Sequence, residues 1–138
     1  MTHLSKATAA GGALLAAAAL LAAGPAQALS GATHGGDYLY LTVTKGDSRS
    51  SDTRGTLLLC DPPQGHSRAA EACTELDTVG GDIARIAPAK DAMCPMVYAP
   101  VTAQARGTWN GRPIEYRETF SNACEMAVRT GPVFALDD

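Results

Sequence analysis

The segment VTAQARGTWNGRPIEYRETF, which runs from Val101 to Phe120, decides the fold class. Apolar and polar side chains alternate on either side of its central pair, Asn110-Gly111. Asn-Gly is the preferred pair for a two-residue type I′ turn, because both positions of that turn require positive φ. The segment therefore predicts a β-hairpin with strands over 101–109 and 112–120, and an antiparallel sheet around it.

Three further strands are predicted outside the hairpin, over residues 38–44, 56–60 and 133–136. The first of them alternates, with Leu39, Leu41 and Val43 on one face, which is typical of a strand with one buried side. Residues 82–100 show neither helical nor strand periodicity, and we expect them to form a long loop before the hairpin.

Two short helices complete the predicted layout. Ser67 can cap the first helix, whose apolar positions recur near helical spacing until Gly80-Gly81 ends it. Asn122 with Glu125 three residues later resembles the capping box of a second helix that reaches about Arg129. The order strand, strand, helix, loop, hairpin, helix, strand predicts an α+β domain with an antiparallel sheet and helices on one face.

Length and composition limit the functions that this chain can have. The 138 residues are 46% hydrophobic and 18% charged, with a formal net charge of −3. This length suits one domain, without room for separate cofactor and substrate lobes. The charge excludes a polyanion-binding protein held by a general basic field, and the apolar content argues against long disorder.

Residues 1–28 have the layout of a secretory signal peptide. Lys6 lies in a segment without acidic residues, an eleven-residue apolar run covers 13–23, and Ala26-Gln27-Ala28 supplies small residues for cleavage. A membrane-spanning helix needs about 18 to 20 apolar residues, so this run is too short to span. We therefore expect a single extracellular domain over residues 29–138.

Four cysteines follow the predicted cleavage site, at Cys60, Cys73, Cys94 and Cys124. An even number in a small secreted domain is typical of disulfides, and the absence of a Cys-x-x-Cys pair argues against zinc. Three connectivities are possible. The layout favours sequential pairing, because the first two cysteines flank one strand-to-helix turn and the last two would join the long loop to the second helix.

The sequence does not indicate a catalytic site. His34 and His66, the histidines after the predicted cleavage site, lie in a small polar leader and a Pro-rich turn, and neither has the serine or free cysteine that nucleophilic catalysis needs. A phosphate-binding loop and a nucleophile elbow are also missing. We therefore expect a protein that is not an enzyme and that needs no cofactor or metal.

The unusual stretch of the predicted loop is Met93-Cys94-Pro95-Met96-Val97-Tyr98. Pro95 fixes its own φ at about −65° and biases Cys94 toward extended geometry. Two interpretations remain open for these apolar side chains. Either Met96 and Tyr98 pack beneath the loop as a small satellite of the core, or the stretch is a rigid, exposed peptide presented to a partner's groove, where rigidity lowers the cost of ordering.

Several stretches together resemble the Streptomyces subtilisin inhibitor family. They are Met93-Cys94-Pro95-Met96-Val97-Tyr98, Gly107-Thr108-Trp109-Asn110-Gly111 and Thr119-Phe120-Ser121-Asn122-Ala123-Cys124-Glu125-Met126, with the cysteine spacing, Gly80-Gly81 and Val133-Phe134-Ala135. The likeness runs from about Tyr38 through essentially the rest of the chain. It implies a small secreted homodimer with a five-stranded antiparallel sheet, two helices and two sequential disulfides, which inhibits subtilisin-type serine proteases through a reactive loop.

The resemblance also implies a role for each residue of that loop. Met96 matches the residue that fills the primary specificity pocket of the protease, and Met96–Val97 matches the reactive bond. Met93, Cys94 and Pro95 match the substrate-like stretch before it, and Val97 and Tyr98 match the leaving side.

Two positions outside that stretch complete the resemblance. Asn122 matches a support for the loop, with helix capping as an equally weighted alternative, and Cys124 anchors the loop beside it. Ala99 is a departure, because the best-known members carry an acidic residue there, which puts leaving-side contacts in doubt. The alternative from another functional class is a secreted binding module, or a substrate of a cross-linking enzyme, that presents the same loop without inhibiting a protease.

Overall fold

The structure of this chain is a computed structural model, and it describes residues 36–46 and 52–136. The predicted signal peptide and His34 lie outside these ranges. The strands are β1 Tyr38–Lys45, β2 Thr53–Cys60, β3 Pro63–Gln64, β4 Val101–Trp109 and β5 Arg112–Phe120. The helices are α1 Ala69–Thr78 and α2 Ala123–Thr130, with 3-10 turns at Ile83–Arg85 and Gly131–Phe134.

The five strands form one antiparallel sheet in the order β3-β2-β1-β4-β5. The predicted hairpin is confirmed with its predicted bounds, and Val101 pairs with Phe120 at its open end. Asn110 and Gly111 have φ values of 48° and 72°, as a type I′ turn requires. The turn therefore sets the register of the two longest strands.

The core lies on one face of this sheet. Successive side chains of a strand point to opposite faces, so β1 places Leu39 and Leu41 inward, and both are fully buried. Leu76 of α1 and Met126 of α2 belong to the same apolar cluster, as does Phe134 of the last 3-10 turn. The α+β class with two helices on one face is confirmed.

The prediction of a last strand over 133–136 is wrong. Residues Gly131–Phe134 form a 3-10 turn in which Val133 and Phe134 are both buried, whereas adjacent strand residues would face opposite sides. Pro132 suits such a turn, because its fixed φ fits and its missing N–H is not needed there. The fifth strand is instead β3, which pairs with Leu59 and Cys60.

The predicted cap of the first helix is also wrong. Arg68, not Ser67, is the N-cap residue of α1, and it forms no side-chain capping bond. His66 satisfies the first N–H groups instead: its carbonyl accepts from Ala69 N at 3.0 Å, and its Nδ1 accepts from Arg68 N at 2.9 Å. A histidine two residues before the N-cap position can thus replace the usual serine.

Candidate functional site

Residues 93–98, called here the exposed loop, lie between the 3-10 turn Ile83–Arg85 and strand β4. Met96 is 104% exposed, Met93 94% and Tyr98 82%, and Val97 is more than half exposed. Side chains packed beneath a loop would be largely buried, so the structure excludes the satellite-core interpretation. A group of neighbouring large apolar side chains in solvent is a feature of binding surfaces.

Two disulfides fix the elements around this loop. Cys94 is bonded to Cys124 in the first turn of α2, with the Cα atoms 5.6 Å apart. Cys60 is bonded to Cys73, which joins the end of β2 to α1. Sequential pairing is therefore confirmed, and the exposed loop is covalently tied to a helix two residues before Met96.

Asn122 contacts the exposed loop on both sides of Met96. Its Nδ2 donates to the carbonyl oxygens of Pro95, at 3.2 Å, and of Val97, at 2.9 Å. Its Oδ1 accepts from the backbone N–H of Glu125 at 2.9 Å, so the same side chain caps α2. An amide group carries two donor hydrogens and an acceptor oxygen, and Asn122 uses both functions at once. Capping the helix and contacting the loop are therefore compatible.

Backbone hydrogen bonds hold the two ends of the longer loop segment. Ala99 N donates to Ser121 O at 2.8 Å, and Ala89 N donates to Val128 O at 2.9 Å. Gly46 N donates to Pro100 O at 2.7 Å, which places the end of β1 beside Pro100, two residues after the exposed loop. Sequence reasoning missed these contacts, and no side-chain pattern reveals them, because every bonding atom belongs to the main chain.

Among the residues that the structure describes, the groups with clearly shifted pKa values lie away from the exposed loop. A hydrogen bond from Arg68 lowers the pKa of Glu71 at the start of α1, and burial raises the pKa of Tyr116 on β5. In the part of the chain that the structure describes, no group of three or more His, Cys, Asp or Glu side chains could hold a metal ion. The exposed loop presents shape and apolar surface rather than acid–base chemistry.

Comparison with known proteins places this geometry in a family. The sequence profile described as subtilisin inhibitor-like matches residues 36–122, which include the exposed loop and Asn122. A Streptomyces avermitilis protein, assigned by its name to the serine protease inhibitors, is 58% identical over 127 residues, covering 92% of this chain and 86% of that protein. The subtilisin inhibitor of Streptomyces albogriseolus is 42% identical over 126 residues, covering 88% of this chain and 85% of that one.

A solved structure gives the same answer for the fold. Streptomyces caespitosus sermetstatin, in complex with Bacillus licheniformis subtilisin, superposes with a TM-score of 0.60 and 36% sequence identity. The match covers 72% of this chain and 97% of sermetstatin. With the profile match over most of the chain, these similarities show that this chain belongs to the subtilisin inhibitor-like family.

Proposed function

We propose that this protein is a secreted inhibitor of serine proteases, chiefly subtilisin-like ones, which inserts the exposed loop into the protease cleft as a substrate would. The observation that carries the proposal is the geometry around Met96. Its side chain is in solvent, while one buried asparagine holds the carbonyl groups on both sides of it. Such a residue can enter a pocket on another protein without first leaving its own core. The loop also loses little conformational entropy on binding, because its conformation is already fixed.

Met96 is the residue that we assign to the primary specificity pocket, and Met96–Val97 is the proposed reactive bond. The flexible, unbranched thioether side chain of methionine fits irregular apolar pockets. A pocket built to pair with lysine or arginine would be left with an unpaired buried charge, so such proteases should bind this loop poorly. The preceding residues Met93 to Pro95 then lie on the substrate-like side, and Val97 and Tyr98 on the leaving side.

The contacts of the exposed loop explain why a cut bond would be rejoined rather than released. If the Met96–Val97 bond is cleaved, Cys94 still holds the new carboxyl end through its disulfide to Cys124. The new amino end stays beside it, because Asn122 contacts Val97 O and Ser121 O accepts from Ala99 N. The amine therefore remains at high effective concentration beside the acyl group, which favours religation over hydrolysis.

The protein's location and assembly are part of the proposal. We assign residues 1–28 to a secretory signal peptide and residues 29–138 to an extracellular domain, where two disulfides are stable. Within residues 36–46 and 52–136, no helix is long and apolar enough to cross a membrane.

A homodimer formed through the outer face of the sheet is the second part of the assembly proposal. Tyr38 and Tyr40 alternate with buried leucines on β1, so they point away from the helices, and Leu57 lies opposite Tyr40 on β2. All three side chains are at least 40% exposed. A contiguous apolar patch on the bare face of a sheet suits a self-complementary contact with a second copy.

Titration of subtilisin activity with the domain over residues 29–138 tests the inhibitory function directly. We expect activity to fall linearly to near zero at one inhibitor domain per protease molecule, because substrate-like binding blocks the cleft. Met96→Asp is the matched control, since it places a charge in an apolar pocket and changes only an exposed side chain. Subtilisin activity that stays unchanged at several-fold molar excess would favour the alternative, a binding module or cross-linking substrate without inhibitory activity.

A further inference from the structure

We propose that Met96 is an oxidative modification site, and that converting its thioether to the sulfoxide with a hydroperoxide such as hydrogen peroxide switches the inhibitor off. This inference rests on the proposed function, because it assigns a regulatory reaction to the same side chain that enters the protease pocket. The class of reagent is a two-electron oxidant that transfers one oxygen atom.

The methionines of the described residues differ sharply in exposure. Met96 and Met93 are 104% and 94% exposed, whereas Met126 is 7% exposed within the core. Methionine oxidation follows access to the sulfur, so the two loop residues react and Met126 is protected. Other side chains that oxidants commonly attack are not accessible, because the described cysteines are all in disulfides and Trp109 is fully buried. Hydroperoxide chemistry is thereby directed to the exposed loop.

The chemical step needs only the oxidant and the thioether. A lone pair on the Met96 sulfur attacks one oxygen of hydrogen peroxide, so the S–O bond forms while the O–O bond breaks. The departing hydroxide takes the proton of the transferred oxygen and leaves as water. Sulfur loses two electrons and the peroxide gains them, so the atoms and electrons balance.

The rest of the binding apparatus survives this reaction. The Asn122 contacts to Pro95 and Val97 use backbone oxygens, and the Cys94–Cys124 bond is already oxidised. The product therefore keeps the conformation of the loop and changes only its two exposed methionine side chains, Met93 and Met96. Methionine sulfoxide is polar and chiral, and sulfoxide reductases reverse it.

Loss of inhibition follows from the chemistry of an apolar pocket. The sulfoxide oxygen is a strong acceptor, and an apolar pocket leaves it without a donor. An apolar pocket discriminates by about 100-fold against a side chain of similar size that carries an added polar group. We take this ratio as the expected rise in the inhibition constant. Met93 lies three residues before Met96, outside the primary pocket, so we expect its oxidation to matter much less.

The test uses peroxide-treated protein and two matched variants. The domain over residues 29–138 is treated with hydrogen peroxide until peptide mass spectrometry finds one oxygen on Met96 and none on Met126, and circular dichroism confirms an unchanged fold. We expect the inhibition constant for subtilisin to rise about 100-fold, and to return when methionine sulfoxide reductases A and B act together. Each variant is compared with its own untreated sample, because Met96→Leu alters the pocket residue itself. We expect the inhibition constant of Met96→Leu to stay unchanged on peroxide treatment, whereas that of Met93→Leu should rise as it does for the unmodified sequence.

Three results would overturn the proposal. One is a protein with confirmed Met96 sulfoxide that still inhibits within about threefold of the untreated sample, well short of the 100-fold expected. Another is a Met96→Leu variant that loses as much inhibition on oxidation as the natural sequence, because the sensitive group would then be elsewhere. The third is an untreated protein that does not inhibit, and this result appears before any peroxide is added, so it identifies the proposed function as the step that failed.

Discussion

The side-chain nitrogen of Asn122 lies 2.9 Å from the carbonyl oxygen of Val97, and it also donates to Pro95 on the other side of Met96. One amide group thus spans the proposed reactive bond. Because the same side chain caps α2, its position is fixed by the helix that carries Cys124. The exposed loop and the start of α2 behave as one unit, and the contacts that build this unit can be removed separately.

Replacing Asn122 with Ala should convert a durable inhibitor into one that the protease gradually cleaves. The variant loses both contacts to the loop, so the new amino end at Val97 can move away after cleavage and hydrolysis competes with religation. Loss of the cap should also lower the free energy of unfolding by about 1 kcal/mol. Residual protease activity over several hours, with mass spectrometry of the inhibitor, measures the first effect, and urea denaturation measures the second.

Asn122→Asp separates the two roles of this side chain. Aspartate is as good an N-cap as asparagine, but it has no donor for the carbonyls of Pro95 and Val97. We expect this variant to keep the helix cap and still be cleaved at Met96–Val97. If both variants inhibit as durably as the natural sequence, Asn122 only caps the helix, and the disulfide and the Ala99–Ser121 backbone hydrogen bond are sufficient to hold the loop.

The parts of the fold that sequence reasoning predicted are those decided by local chemistry. Asn110-Gly111 requires a particular turn whatever surrounds it, and Asn122 with Glu125 reports a helix start by spacing alone. The pattern of the short apolar run after Pro132 does not decide its structure, because four residues can form a strand or a buried turn, and packing against the core decides between them. The exposure of Met96 was undecidable for the same reason, since it depends on contacts with residues distant in sequence.

Replacing Met96 with Lys should create inhibition of trypsin, while weakening inhibition of subtilisin without abolishing it. A single side chain in the primary pocket sets most of the discrimination among serine proteases, and trypsin-like pockets pair with a cation. Met93→Lys is the matched control, because Met93 is as exposed but lies outside the proposed primary pocket. Inhibition constants for both enzymes check the result, and a Met96→Lys protein without any effect on trypsin would mean that the reactive bond lies elsewhere.

Replacing Tyr40 with Asp should shift the proposed homodimer toward monomer. Tyr40 is 53% exposed on the outer face of the sheet, beside Tyr38 and opposite Leu57, so a charge there should be tolerated by the fold but would be buried without a partner in a dimer. Sedimentation velocity over a range of concentrations measures the change. Ala70→Asp, on the exposed side of α1, is a control for added charge, and equal behaviour of the two variants would place the dimer interface on another surface.

Replacing Gly81 with Ala should destabilise the domain without altering the chemistry of the exposed loop. Gly81 has φ of 81°, and a Cβ there would lie 2.4 Å from Cγ of the buried Trp109. Overpacking of this kind costs about 1 to 3 kcal/mol in the free energy of unfolding, beyond the strain of positive φ. Gly111→Ala is the matched control, since its φ is 72° but no atom lies within 4 Å of the added Cβ. If urea denaturation shows the same loss of unfolding free energy for both variants, the structure adjusts to the contact with Trp109 without a further cost in stability.

The two disulfides should contribute differently when each is removed by paired Cys→Ala substitutions. Cys60–Cys73 joins β2 to α1 at a distance from the exposed loop, so its loss should mainly lower stability, by at most about 3 kcal/mol on the chain-entropy estimate. Wherever that variant remains folded, inhibition should last. Cys94–Cys124 anchors the loop itself, and its loss should lower stability and also release the segment that ends at Met96.

The variant without Cys94–Cys124 should therefore bind subtilisin at first and lose inhibition over hours, with cleavage at Met96–Val97. The physical reason is that the new carboxyl end then loses its covalent anchor and keeps only the Asn122 contact to Pro95 O, so separation becomes faster relative to religation. Protease activity followed over time, with the mass of the recovered inhibitor, distinguishes this from simple unfolding, provided both double variants are compared at a temperature where circular dichroism shows each folded. Equal persistence of inhibition in the two variants would mean that hydrogen bonds and core packing are sufficient to hold the loop.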